Sequence, residues 1–214
     1  MVAVTKHGII LEKTDNGFEN EGVFNPGIFQ DENTVHMFYR AMRTGNFSSI
    51  GYCKLAGPLT IVERNKEPVF YSSNSCEFQG VEDPRITKIE DTFYMSYTAY
   101  DGINAFGSYA TSKDLKNFER KGIITPKFTF EEYSELIKKN CDKISDAHII
   151  FYILFTRYRL LELMKGKIYV WDKNLVFFSK KINGKFAVLH RLNPSIQVLY
   201  FEDPAELTIE FWKE

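Results

Sequence analysis

The sequence predicts an all-β fold of the propeller type, with about three repeats and a helical insertion between the second and third. Three observations lead there. The first 125 residues read as short aromatic and β-branched runs separated by turn residues. Two of those runs lie in segments that repeat at a fixed offset, and a third copy follows later. Between copies two and three the apolar spacing changes to a helical one.

The elements follow in chain order. Val35-His36-Met37-Phe38-Tyr39-Arg40 reads as a strand entered through the turn Asp31-Glu32-Asn33. Thr92-Phe93-Tyr94-Met95-Ser96-Tyr97-Thr98 reads as a second, entered through Glu90-Asp91. A shift of 58 residues lays Asn25-Pro26-Gly27-Ile28 over Asp83-Pro84-Arg85-Ile86, and then Val35 falls on Phe93, Met37 on Met95, Tyr39 on Tyr97 and Ala41 on Ala99. The third copy begins near Asn174 and runs through Phe177-Phe178 and the Asn183-Gly184 turn to Phe186-Ala187-Val188-Leu189. Repeats of this kind in an all-β chain predict propeller blades. Residues 128–165 read as the helical insertion: Thr129 with Glu131-Glu132 resembles a helix start, and Tyr133, Leu136 and Ile137 recur on one face. The apolar stripe of residues 149–163 is read as packing. Ser112-Lys113-Asp114 through Phe118 reads as a structural turn between outer strands of the second blade. Residues 1–214 are read as a single, partial propeller domain.

Composition excludes several classes. Lys+Arg 27 against Asp+Glu 28 argues against a polycation that binds nucleic acid. No run reaches the roughly 18 apolar residues of a membrane span, and the N-terminus has no signal-peptide pattern, so a cytoplasmic location is expected. Cys53, Cys76 and Cys141 fit a reducing compartment better than a disulfide framework. His7, His36, His148 and His190 show no ligand spacing, so no metal is expected; no Gly-rich phosphate loop appears either. Charge is uneven: residues 151–191 carry 9 basic and 2 acidic side chains. That stretch is either a solvated face or a meeting place for an anionic substrate.

The sharpest cluster is Glu77-Phe-Gln-Gly-Val-Glu82-Asp83-Pro84-Arg85. Pro84 biases Asp83 toward extended backbone. The arginine holds one carboxylate ionised while burial raises another, which prepares a general acid. The alternative is a turn with a structural Asp–Arg salt bridge. Equivalent positions of the repeats add Asn25, Arg40 and His190-Arg191, with Lys173 standing before the third repeat as Asn25 stands before the first. In a propeller these converge on one axis; otherwise the arginines are rim residues in ion pairs.

These segments resemble glycoside hydrolase family 130, the β-mannoside phosphorylases and related mannosidases. The likeness rests on Phe24-Asn25-Pro26-Gly27, Met37-Phe38-Tyr39-Arg40, Gly80-Val81-Glu82-Asp83-Pro84-Arg85-Ile86-Thr87, Tyr97-Thr98-Ala99-Tyr100, Ala110 to Asp114, and Lys173-Asn174 through Gly184-Lys185 to Leu189-His190-Arg191. It implies a five-bladed β-propeller with an axial active site and Asp83 as proton donor. It implies attack by inorganic phosphate as co-substrate, with inversion, to give α-mannose 1-phosphate, and no other cofactor. Lys173, His190 and Arg191 are then the phosphate-binding candidates, and Asn25, Arg40 and Arg85 position the sugar or support the acid. Gly102-Ile103-Asn104 lacks a basic residue that phosphorylases often supply, and Ser179 stands where the family more often has Pro. Two blades are expected to be missing, to be supplied by a homo-oligomer or a complementing C-terminal fragment. Two alternatives stand beside phosphorolysis: an inverting β-mannosidase, and an inactive carbohydrate-binding or assembly protein.

Overall fold

In the computed structural model, residues 3–139, 168–192 and 195–213 are described. The first hairpin pairs β1 (Gly22–Asp31) with β2 (Thr34–Arg43). The chain reverses through Glu32, which takes a positive φ of +48° in the tight turn. β3 (Phe47–Ala56) and β4 (Thr60–Arg64) complete a four-stranded antiparallel meander. The second meander repeats the plan with β5 (Gly80–Ile89), β6 (Thr92–Tyr100), β7 (Ala105–Ser112) and β8 (Glu119–Ile123). Its first turn uses Glu90 at positive φ, where the first used Glu32. The third comprises β9 (Asp172–Phe177), β10 (Phe186–Leu192) and β11 (Gln197–Phe201) among the described residues.

The expected separate blades are joined here into one open mixed sheet. Each junction is a single parallel bridge, Ser48 to Gly80 and Phe106 to Asp172. Gly80 permits the first: a β-carbon there would fall onto the Ser48 backbone. The described residues are all-β apart from short helical pieces.

Faces of neighbouring meanders bury the core. Phe38, Ile50 and Phe70 of the first pack on Val81, Met95 and Tyr97 of the second. Ile89 and Tyr94 of the second meet Leu175, Phe177, Phe186 and Phe201 of the third. Both Tyr94–Phe177 and Phe29–Phe93 are close ring pairs, at 5.1 and 5.0 Å. The central strands β2 and β6 are buried on both faces over much of their length, which accounts for their near-continuous apolar runs.

The helix start expected at Thr129 is present. α1 (Phe130–Lys139) opens with a reciprocal cap: Thr129 N donates to Glu132 Oε2 at 2.8 Å, and Glu132 N donates to Thr129 Oγ1 at 3.2 Å. Its buried residues include Tyr133 and Ile137, which pack with Phe128 and Val170. The rest of the expected insertion, with the stripe at 149–163, lies outside the described residues. The Ser112–Phe118 segment is a turn held by Asp114, which accepts from the Lys116 and Asn117 amides at 2.9 and 2.8 Å. Those bonds hold its carboxyl below the usual range, in keeping with a structural role. Among the described residues no helix is long and apolar enough to cross a membrane.

Candidate functional site

Each meander breaks its innermost ladder at the same place. In β1, Asn25 and Pro26 together oppose Tyr39 alone; in β5, Asp83 and Pro84 oppose Tyr97; in β9, Asn174 and Leu175 oppose His190. These are β-bulges, and the first bulged residue has φ +45°, +54° and +61° respectively. Asn and Asp tolerate that left-handed region better than other non-glycine residues. A bulge re-aims its side chain, so these three residues stand out of the ladder.

Proximity of β1 to β5 brings the first two bulges together. Asn25 Nδ2 donates to Asp83 Oδ1 at 2.8 Å. Gly27 makes the approach possible: a β-carbon there would lie 2.6 Å from the Pro84 carbonyl oxygen. Arg40, paired in the ladder with Phe24, reaches across from β2. Its Nη2 lies 2.8 Å from Glu82 Oε1, its Nη1 3.9 Å from Asp83 Oδ1, and its Nε donates to Ser48 Oγ at 2.9 Å. Glu82 is buried and Asp83 nearly so. Burial raises the Glu82 carboxyl above the usual range, and the charges of Arg40 and Lys173 oppose that rise.

Lys173 and Arg191 form the other side. They face each other in the β9–β10 ladder. Lys173 interacts electrostatically with Glu82, Asp83, Arg191 and Arg40, and its Nζ sits 5.0 Å from the centre of the Trp171 ring. Burial lowers its ammonium below the ordinary lysine value, against the raising influence of Glu82 and Asp83. With its amide oriented so that the oxygen faces Arg191, Asn174 accepts from both Nη1 and Nη2 at 3.1 Å, while Arg191 Nε is buried without a partner among the described residues.

Several side chains sit differently from their place in the sequence reading. Among the described residues Arg85 clamps no carboxylate: its Nη1 donates to the carbonyls of Pro84 at 2.7 Å and Asn25 at 3.4 Å, stapling the two bulges through their backbones. Arg40 makes the carboxylate contact instead. Asn174, rather than Lys173, occupies the place of Asn25; Lys173 corresponds to Phe24 and Glu82. Glu77 turns away from Glu82 and Asp83 and is buried beneath the second bulge, where its Oε1 accepts from Tyr97 Oη at 2.9 Å. His190 pairs with buried Asp172, Nδ1 lying 2.9 Å from Oδ2, and its ring meets Trp212 edge-on at 5.2 Å.

The diverted Glu77 belongs to a repeated support. Under the first bulge Tyr39 Oη donates to Glu19 Oε2 at 2.8 Å, and Arg64 Nη2 sits 2.9 Å from Glu19 Oε1. Under the second, Arg120 Nε stands 3.6 Å from Glu77 Oε2. Under the third, His190 and Asp172 take the place of tyrosine and glutamate. Sequence reasoning missed Glu19, Ser48, Arg64, Arg120 and Asn174 as parts of this arrangement. The 58-residue shift that relates Tyr39 to Tyr97 also relates Glu19 to Glu77, a signal that was available.

The family model described as beta-1,4-mannooligosaccharide phosphorylase, that of glycoside hydrolase family 130, matches residues 9–210. The chain belongs to glycoside hydrolase family 130. Within the family it is similar to a 1,2-beta-oligomannan phosphorylase of Thermoanaerobacter sp. (strain X514), 28% identical over 206 residues that cover 91% of this chain and 54% of that protein. A beta-1,2-mannobiose phosphorylase of the same strain is 28% identical over 200 residues, covering 86% of this chain and 52% of the relative. The chain thus spans about half the length of the curated relatives it matches. The fold is similar to that of the beta-1,2-mannobiose phosphorylase from Listeria innocua solved with beta-1,2-mannobiose, with a TM-score of 0.57 at 16% identity over 85% of this chain and 56% of that one.

Proposed function

We propose that the meanders are three blades of one five-bladed β-propeller domain, and that the cluster at their bulges cleaves β-mannosidic bonds by inverting phosphorolysis. The observation that carries this reading is that one bulge-borne carboxyl, Asp83, meets cations from two other meanders: Arg40 at 3.9 Å, and Lys173, which stands opposite Arg191 in its ladder. Family membership and the phosphorylase relatives support the same chemistry.

In this mechanism Asp83 gives its proton to the glycosidic oxygen, relayed through the 3-hydroxyl of the mannosyl unit. The anomeric carbon–oxygen bond breaks as a phosphate oxygen bonds to that carbon from the opposite face. The products are α-mannose 1-phosphate and the shortened acceptor. Phosphate arrives as the nucleophile already anionic, so the site needs cations to gather and orient it. Lys173 and Arg191 fill that role, and Asn174 orients the Arg191 guanidinium. Asn25 holds the Asp83 carboxyl in place, Arg85 locks the two bulges, and Arg40 fixes Glu82. His190, bound to Asp172, anchors β10 beneath Arg191 and completes the phosphate-binding side.

An inverting β-mannosidase would need a carboxylate base about 6.5–9.5 Å from the acid with water between. The β9–β10 side presents Lys173 and Arg191 to the cluster and buries its one carboxylate, Asp172, against His190. That distribution favours phosphate over water. The test is incubation with short β-mannosides with and without inorganic phosphate. Phosphate-dependent α-mannose 1-phosphate is expected; free mannose released equally well without phosphate would assign the site to hydrolysis.

A further inference from the structure

Beside the acid cluster a groove of about 400 Å³ opens at the seam between the first and second meanders. Ser48 lines it, at the one point where β3 and β5 pair. The same Ser48 receives the Arg40 Nε hydrogen bond, and Arg40 is the partner of Glu82. The groove and the acid cluster therefore share a wall. Its location also fits: Asn25, Ser48 and Gly80 all sit near the starts of their strands, at one end of the sheet.

The lining is unusual for a free surface. Phe78 is 66% exposed and Tyr71 61% exposed, and both line the groove with Phe47. Phe47 and Phe78 meet edge-to-face at 6.3 Å, and the Arg43 guanidinium lies 4.5 Å from the Phe47 ring centre. The rim is fixed: Gln79 Nε2 donates to the carbonyls of Gly45 at 2.7 Å and Asn46 at 3.1 Å, tying the β2–β3 turn to the start of β5. Exposed rings gathered in a concavity mark a binding surface. A pyranose matches this one, since its C–H faces lie against aromatic rings while its hydroxyls find the arginine, amide and hydroxyl groups between them.

We infer that this groove binds mannosyl units of a β-mannoside chain beyond the two joined by the scissile bond, an inference that rests on the β-mannoside reading above. It holds longer chains along the seam, so chain length is read there rather than at Asp83. Affinity then grows with chain length, and the growth depends on Phe78 and Tyr71.

Calorimetric titration of β-mannobiose and β-mannotetraose, in both β-1,2 and β-1,4 forms, tests this, with Asp83→Asn present throughout to silence turnover. In one linkage series the tetraose is expected to bind roughly tenfold more tightly than the biose, and Phe78→Ala or Tyr71→Ala to remove most of that margin. Biose affinity stays within about twofold in both variants, the two side chains being exposed and outside the core. Equal affinity for biose and tetraose overturns the inference, as does a length margin that survives both substitutions. Phosphate-dependent cleavage of mannobiose by the parent chain with no length margin overturns the groove alone. Binding of no mannoside at all overturns it together with the functional reading.

Discussion

The first and second meanders present nearly the same backbone to the cluster and very different chemistry. Each has a bulge of an Asx residue followed by proline, a tyrosine opposite it, a buried glutamate under the tyrosine, and an arginine from the outermost strand. The bulged residue is Asn25 in one and Asp83 in the other. One frame thus carries a neutral amide that donates and a carboxyl that accepts, and the two are bonded to each other. The third meander keeps the bulge, replaces the tyrosine–glutamate pair with His190–Asp172, and sets Lys173, with Arg191 opposite it in the ladder, within electrostatic reach of Glu82 and Asp83. The lesson is that the frame is built by the buried supports, while the chemistry is set by which residue each bulge lifts out of the ladder.

Breaking the two supports separately sharpens this. Removing one partner of a buried ion pair leaves the other uncompensated, at about 3–5 kcal/mol. Glu19→Ala is expected at the upper end, because Glu19 is wholly buried and Arg64 approaches to 2.9 Å. Glu77→Ala is expected lower, since Arg120 stands 3.6 Å away and is more exposed. Urea denaturation of the two variants measures both; equal and negligible losses would mean that the tyrosine–glutamate–arginine sets are incidental. A smaller effect comes from the contact between the two frames. Gly27→Ala forces β1 away from Pro84, with a cost of about 1–3 kcal/mol, and turnover falls with it because Asn25 leaves Asp83. Unchanged turnover would detach Asn25 from the acid's positioning.

The smallest expected effect concerns the third meander and pH. Lys173 is lowered by burial, so its charge is lost at a pH below that of an ordinary lysine. Phosphate affinity should therefore weaken on the alkaline side earlier than a surface lysine would cause. Lys173→Arg, which keeps its charge at all accessible pH, moves that limb upward. A pH profile of the phosphate KM in parent and variant reads the shift, and coincident profiles would remove Lys173 from phosphate binding.

Much of the frame was legible in the sequence, for physical reasons. Alternation of aromatic and β-branched residues marked β2 and β6, and acidic turn residues marked their starts. Asn25-Pro26 and Asp83-Pro84 aligned the first two repeats, but the extended backbone expected of Asp83 before a proline gave way to a left-handed φ of +54° at the bulge. The sequence reading began the third copy near Asn174 yet set Lys173 against Asn25, because Leu175 stands where the other two repeats have proline. Glu77 falls in the same cluster as Glu82 and Asp83 along the chain, but nearness in sequence says nothing about facing: from its 3₁₀ turn it accepts from the Tyr97 hydroxyl instead. Contacts such as Arg40 with Ser48 and Glu82 cross between meanders, and no local pattern encodes them.

The central claim is that Asp83 donates the proton in a site assembled to receive phosphate. Steady-state turnover of β-mannobiose with saturating phosphate, measured for the parent chain and for Asp83→Asn beside a binding titration of each, tests it most directly. A loss of about 10²–10⁴-fold in turnover is expected, the range a positioned general acid contributes, with sugar affinity within about twofold. An Asp83→Asn protein that still forms α-mannose 1-phosphate at the parent's rate would contradict it.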